Sequence, residues 1–299
     1  MNELQYNSCQ EEINRCVKLY KDFKDAATFI DAVCAEAAKF FEENPVTPVP
    51  ALDEDMATAR MRAGNSLEMT PKLKTGDVVN LLKRLNDAVI KANPGLKKTM
   101  KQVNESLNSF LADSAEEVKK EEVFALRDSL IEETELEDDL ATFLFSFMLT
   151  SFYRQYLKSF YEVLRTDLWE GGDCPLCGEL PHYGQLRPDN GAKQFECWLC
   201  GIEWVHTRIK CPFCGNAERD DLGYFTIEGD DKVRVNYCKK CCQYYKLIDA
   251  RKFHADGELV LAIHNLASLT HDLLAKQEGF TPGSGLEWVN KDETTDDQD

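Results

Sequence analysis

Residues 174–241 contain Cys174-Pro175-Leu176-Cys177-Gly178, Cys197-Trp198-Leu199-Cys200-Gly201, Cys211-Pro212-Phe213-Cys214-Gly215 and Cys238-Lys239-Lys240-Cys241. Eight thiols in four pairs of one spacing are enough for two closed tetrahedral metal sites. The two-residue gap lets both sulfurs of a pair reach one ion from a tight turn, at about 2.3 Å for zinc. Glycine after three of the pairs tolerates the positive φ that turns backbone N–H groups toward sulfur. Pro175 and Pro212 pre-set φ at the first turn position of two pairs.

A disulfide framework is the competing reading, and compartment argues against it. The chain opens Met1-Asn2-Glu3-Leu4-Gln5, without a basic n-region or an apolar h-region. No run approaches the roughly 18 apolar residues of a membrane span. A cytoplasmic location is therefore expected, where paired cysteines serve as metal ligands or redox groups. Cys9, Cys16 and Cys34 read as small buried hydrophobes within helices. Cys242 is a spare thiol or a ligand in an alternative register.

Charge bounds the partners. The chain of 299 residues carries a net −18. Residues 174–254 are nearly balanced, with 12 Lys/Arg against 11 Asp/Glu, and residues 255–299 carry 2 against 10. Two tetrathiolate sites holding divalent ions would each add about −2. Displacing counterions from phosphates needs a basic surface, so nucleic acid is not an expected partner, and neither is membrane insertion.

The first half reads as helical: about Glu11–Phe41, ended by three prolines in Asn44–Pro50, then Asp77–Ala92, Lys97–Leu111 and a helix to about Thr134 capped by Ser114 and Glu117. Residues 51–75 read as a loop over the bundle. A long helix over 138–168 carries Leu140, Phe143, Leu144, Phe147, Ser151, Tyr156, Phe160, Tyr161 and Leu164 on one broad face, read as core. Glu170-Gly171-Gly172-Asp173 breaks the pattern. Strand-like runs follow at Lys193–Trp198, Glu203–Arg208, Leu222–Glu228, Val233–Tyr237 and Tyr244–Asp249, giving two small metal-centred β-units in tandem. An amphipathic helix over Glu258–Lys276 comes next. The tail from Thr281 is acidic and expected to be disordered, with Trp288 as an anchor candidate.

Near-equal loops favour sequential pairing: Cys174, Cys177, Cys197 and Cys200 on one ion, Cys211, Cys214, Cys238 and Cys241 on the other. Such S₄ sets suit zinc or a single iron. His182 and His206 read as ordinary β-unit residues. Trp204 is expected to cover the first site and Arg208 to pair with an acid such as Glu203, and both could also grip a client peptide. Closed Cys₄ sites leave no open coordination position, and no phosphate loop or nucleophile elbow is present, so an enzyme is not expected.

The knuckles, Glu203-Trp204 with Arg208, Cys211-Pro212-Phe213-Cys214-Gly215-Asn216, Tyr237-Cys238, Tyr245-Lys246, Asp249 and Gln277-Glu278-Gly279-Phe280 resemble the FdhE family of formate dehydrogenase accessory proteins. The resemblance covers about residues 170–280. It implies an α+β chain with a helical bundle (1–169), two rubredoxin-like Cys₄ modules (170–208 and 209–257) and a C-terminal helix (258–280), with 281–299 as the tail. It further implies a cytoplasmic maturation factor, a chaperone of sorts, for the catalytic subunit of a molybdenum- or tungsten-dependent formate dehydrogenase. It favours iron over zinc. A rubredoxin-like electron carrier and a zinc-ribbon nucleic-acid-binding protein are the alternatives. The acidic tail and the glycine-free fourth knuckle depart from the family pattern.

Overall fold

The computed structural model describes residues 3–50, 52–253 and 259–283. The expectations for residues 284–299, including Trp288, lie outside them. Two helices open the chain, α1 (Glu3–Leu19) and α2 (Lys24–Glu43). A single helix was expected here, but Tyr20 is extended (φ −116°, ψ 109°) and Lys21–Phe23 form a 3₁₀ turn. The break lets both Tyr20 and Phe23 be buried.

The segment expected as a loop contains a helix, α3 (Glu54–Arg62), whose N-cap Asp53 accepts from the Asp55 and Met56 N–H groups. It then forms β1 (Leu73–Lys74). The next helices, α4 (Thr75–Ala92) and α5 (Lys97–Asp113), follow the expected periods. Ser114 and Glu117 do not make a capping box. Glu117–Val118 is β2, antiparallel to β1 through Leu73 opposite Val118. The cap lies further on, at α6 (Lys120–Glu133), where the Glu122 carboxylate accepts from the Lys119 N–H at 2.8 Å.

The aromatic helix is α7 (Asp138–Tyr156), shorter than expected. It gives way to 3₁₀ turns at Lys158–Phe160 and Thr166–Leu168. At its end the Val49 N–H donates to the Tyr156 carbonyl at 2.7 Å, so the proline-rich segment closes the last turn.

The β-half is built from β3 (Tyr183–Leu186), β4 (Lys193–Glu196), β5 (Glu203–Val205), β6 (Leu222–Ile227), β7 (Asp230–Cys238) and β8 (Gln243–Asp249). β3–β5 form one antiparallel meander and β6–β8 another. β3 was not foreseen: it has four residues and a glycine. A Cβ on Gly184 would stand 2.3 Å from the Gln194 carbonyl oxygen, so only glycine permits this pairing. β3 also lies parallel to β8, Tyr183 opposite Lys246 and Leu186 opposite Asp249. The two metal units therefore share one sheet instead of standing as separate beads.

The C-terminal helix is two helices, α8 (Leu261–Ala267) and α9 (Leu269–Gln277), bent at Ser268. Ser268 is buried, its hydroxyl donating to the His264 carbonyl at 2.8 Å. Its oxygen also lies 3.1 Å from the Lys246 ammonium. The tail expectation fails at its first residues, because Thr281–Pro282 form β9, parallel to β8.

One apolar core runs from Phe40, Leu82 and Phe152 in the helices through Cys174, Cys197 and Trp204 to Ile248 in the sheet. Of the expected stripe, Leu144 and Ser151 on α7 and Phe160 and Leu164 beyond its end are buried, whereas Tyr161 is 40% exposed.

Candidate metal centres

The eight knuckle cysteines gather into two sets, Cys174/Cys177/Cys197/Cys200 and Cys211/Cys214/Cys238/Cys241, the Sγ atoms of each within 4.8 Å of one another. Sequential pairing is therefore the arrangement of the fold. Across the first set Cys174–Cys200 and Cys177–Cys197 are each 3.5 Å apart. Across the second, Cys211–Cys241 are 3.7 Å apart and Cys214–Cys238 3.8 Å. A tetrahedron with metal–sulfur bonds of about 2.3 Å has edges of about 3.8 Å. Both sets fit one ion, and the donors suit zinc or iron alike.

Local backbone makes these sets. In the first three knuckles the glycine N–H donates to the carbonyl of the leading cysteine, Gly178 to Cys174 and Gly201 to Cys197 at 3.0 Å and Gly215 to Cys211 at 3.1 Å. Each leading cysteine N–H donates five residues ahead, as Cys174 does to Glu179 at 2.8 Å. The glycines hold φ of 81°, 77° and 70°. Cys242 takes the corresponding place after Cys241, at φ 55°. It is exposed and outside the Cys₄ set.

The centres differ in setting. In the first, Cys174, Cys197 and Cys200 are buried and the helical half grips the knuckles. The Leu67 N–H donates to the Pro175 carbonyl and Met69 to Leu176, at 2.9 and 2.8 Å. The Tyr161 hydroxyl donates to the Cys200 carbonyl at 2.5 Å, and Arg154 reaches Glu196 at 2.6 Å. In the second, Cys214 is exposed and Cys241 half-buried.

Neither histidine joins a cysteine set. His182 stacks on Trp198 with centroids 5.2 Å apart, and His206 lies 3.1 Å from the Gly171 carbonyl through Nδ1. Burial pushes each down to about 4, so both rings are neutral near pH 7. Trp204 is 1% exposed and packs against Phe195, so its ring is a core element without a face for a partner. Arg208 is exposed and donates to the Gly191 carbonyl at 3.3 Å, while Glu203 accepts from Gln194 at 2.8 Å.

Sequence reasoning missed Arg154 and Tyr161, helical-half residues that reach the first centre. Arg154 had a readable signal, as the lone basic residue of α7, set beside its aromatic run. A third set, Glu12, Cys16 and His264, also lies within ligand distance. Glu12 meets the His264 Nε2 at 2.7 Å, whereas Cys16 and Tyr20 meet Nδ1 at 3.7 and 3.1 Å. Donors on opposite ring nitrogens make a hydrogen-bond relay, since one ion cannot bind the ring from both sides.

A helical bundle joined to a sheet with two Cys₄ sets defines the class, and no described helix is long and apolar enough to cross a bilayer. No family model matches the chain. Among curated proteins, a "Protein FdhE homolog" of Aquifex aeolicus (strain VF5) is 34% identical over 166 residues, 54% of this chain and 56% of that protein. A "Protein FdhE homolog" of Pectobacterium carotovorum subsp. carotovorum (strain PC1) is 33% identical over 114 residues, 37% and 35% of the two chains. The chain thus spans about half or less of the length of the curated relatives it matches. The crystal structure of the FdhE protein from Pseudomonas aeruginosa shares the fold, with a TM-score of 0.60 at 20% identity over 93% of both chains. Over about half of its length the chain is thus similar in sequence to FdhE proteins, and its fold is like that of the FdhE crystal structure.

Proposed function

We propose that this chain is a cytoplasmic accessory factor for a formate dehydrogenase. It binds the catalytic subunit of a molybdenum- or tungsten-dependent enzyme and is needed for that subunit to become active. The observation that carries the reading is the pair of complete Cys₄ sets in a chain similar to FdhE proteins. Four thiolates fill a tetrahedral ion, so these sites stabilise and shape a surface and offer no position for substrate. The chain acts as a binding protein and not as an enzyme. Each set holds one ion, iron by family likeness or zinc by chemistry. Arg208, exposed at the junction of the two modules, contacts the client, with Trp204 beneath as its support.

A strain lacking this chain is expected to contain the dehydrogenase polypeptide but to lack formate-oxidising activity, and Arg208→Ala is expected to weaken client capture without releasing metal. Full activity in that strain, with no paralogue present, would sink the reading. The exposed edge of the second centre at Cys214 favours one other role, a rubredoxin-like electron carrier. Anaerobically purified protein would then be red and bleach with dithionite.

A further inference from the structure

A cleft of about 380 Å³ opens between the two metal modules. Its wall carries five basic side chains, Lys193, Arg208, Lys210, Arg219 and Arg234, and no carboxylate, burial pushing the Lys193 amine down to about 7. In a chain of net charge −18 this is a local inversion that the balanced count over residues 174–254 conceals. Like charges gathered at one concavity repel one another and raise the local potential.

Two of the five have compensation. Arg234 pairs with Asp249 at 2.8 Å. Lys193 is 2% exposed, and its Nζ donates to the Lys210 carbonyl and the Tyr245 hydroxyl at 3.1 Å each, with Cys211 and Cys238 also lining the cleft. An ammonium has three donors, and these contacts use two. Arg208, Lys210 and Arg219 have no carboxylate partner among the described residues, and Arg208 and Arg219 are exposed. Guanidinium forks and ammonium groups converging on one space are the donors that oxyanions require. The volume lies in the range of about 300–1,000 Å³ common to small-ligand sites. Three uncompensated cations exceed what one carboxylate neutralises, and match a doubly or triply charged group.

We infer that this cleft is a binding site for a small phosphate-bearing anion, with Lys193 as the buried donor and Arg208, Lys210 and Arg219 closing on the phosphate oxygens. The site goes beyond the accessory role proposed above, and its occupancy can be measured with no client present. It also makes the junction of the modules sensitive to the ligand, because strands of both modules contribute to its wall.

The test is calorimetric titration of the full-length, metal-loaded protein with inorganic pyrophosphate at physiological ionic strength. Saturable one-site binding is expected. Lys210→Gln/Arg219→Gln should weaken it about tenfold or more, as the loss of charge-assisted hydrogen bonds implies. Lys72→Gln/Lys98→Gln, which removes the same charge from exposed positions of the helical half, should leave it unchanged. Should the double variant lose metal, Arg219→Gln alone, on an exposed 3₁₀ turn, carries the test. Absence of saturable binding, equal weakening in the control, or binding of a single-stranded oligonucleotide or an acidic peptide in place of pyrophosphate would overturn the inference.

Discussion

Cys242 stands in the fourth knuckle where Gly215 stands in the third, and both are left-handed, at φ 55° and 70°. The turn dictates this conformation: the residue after each second cysteine must swing the chain back so that it can pair beneath the metal. Glycine adopts it freely, whereas a side chain with a Cβ costs roughly 1–2 kcal/mol there. What reads in the sequence as a missing glycine is, in the fold, a strained cysteine.

Replacing that cysteine should relieve the strain. Cys242→Gly is expected to stabilise the protein by about 1 kcal/mol, part of the gain being lost to the greater freedom of glycine in the unfolded chain. The thiol's donation to the Lys239 carbonyl at 3.6 Å is a weak S–H hydrogen bond and does not offset it. Metal content should stay unchanged, because the Sγ is outside the Cys₄ set. Denaturant unfolding with metal analysis checks both, and a destabilised variant or a lost ion would show that Cys242 is a ligand.

Site-specific loss of metal should reveal the sequential pairing and the unequal setting of the centres. Cys174→Ser is expected to release one ion and Cys211→Ser the other, each variant retaining its second ion. The first loss should also lower the melting temperature more and diminish helical signal, because Cys174, Cys197 and Cys200 belong to the core shared with Phe40 and Phe152. The second centre, with Cys214 exposed, should unravel locally. Loss of both ions from either variant would contradict the pairing, and equal thermal effects would contradict the asymmetry.

The grouping of the eight knuckle cysteines into two sequential sets was legible because the CxxC spacing is a local constraint that tertiary packing cannot override. The long helices were legible for the same reason, through their apolar period. What escaped were features decided at a distance. β3 exists because β8 lies beside it, and Gly184 makes room for the Gln194 carbonyl. The kink at Tyr20 exists because its hydroxyl meets His264, 244 positions away. Trp204 was expected to cover the first site and could also have gripped a client, but pairing of Phe195 with Trp204 on adjacent strands draws the ring into the core. The cationic cleft escaped because composition counts charges and does not place them.

Acid should weaken the junction of the modules through Asp249. Its carboxylate is fully buried, 2.8 Å from Arg234 and 2.7 Å from Arg251. Burial pushes its pKa up, but Arg251, Arg234 and Lys252 outweigh this and hold it below the ordinary value. With the folded pKa depressed, its stabilisation is present above the unfolded value of about 3.9 and is lost as pH falls through the folded one. Asp249→Asn should destabilise the protein at pH 7 by about 3 kcal/mol, leaving two guanidinium groups without their shared anion. Melting temperatures of both proteins between pH 7 and 3 should converge at the acid end. A constant gap would show that packing, and not charge, accounts for the loss.

The relay at His264 should hold the two ends of the chain together. Glu12 on α1, 2% exposed, meets the His264 Nε2 at 2.7 Å, while the Tyr20 hydroxyl meets Nδ1 at 3.1 Å. The same carboxylate takes the Val260 N–H at 3.4 Å and the Arg15 guanidinium at 3.4 Å. His264→Ala removes the closest of these partners and leaves a buried carboxylate and a buried phenol under-satisfied. The expected cost is about 3 kcal/mol, the desolvation penalty of groups that lose their hydrogen bonds. Removing the carboxylate as well should recover part of that cost, since an apolar pair leaves no buried carboxylate, although the Tyr20 hydroxyl and the Val260 N–H still lose their partners. Glu12→Leu/His264→Leu is therefore expected to be more stable than His264→Ala, and urea unfolding of the two proteins with each single variant gives the coupling directly. Additive single effects would show that α8 is held by its apolar contacts with Ile13 and Ile30 alone.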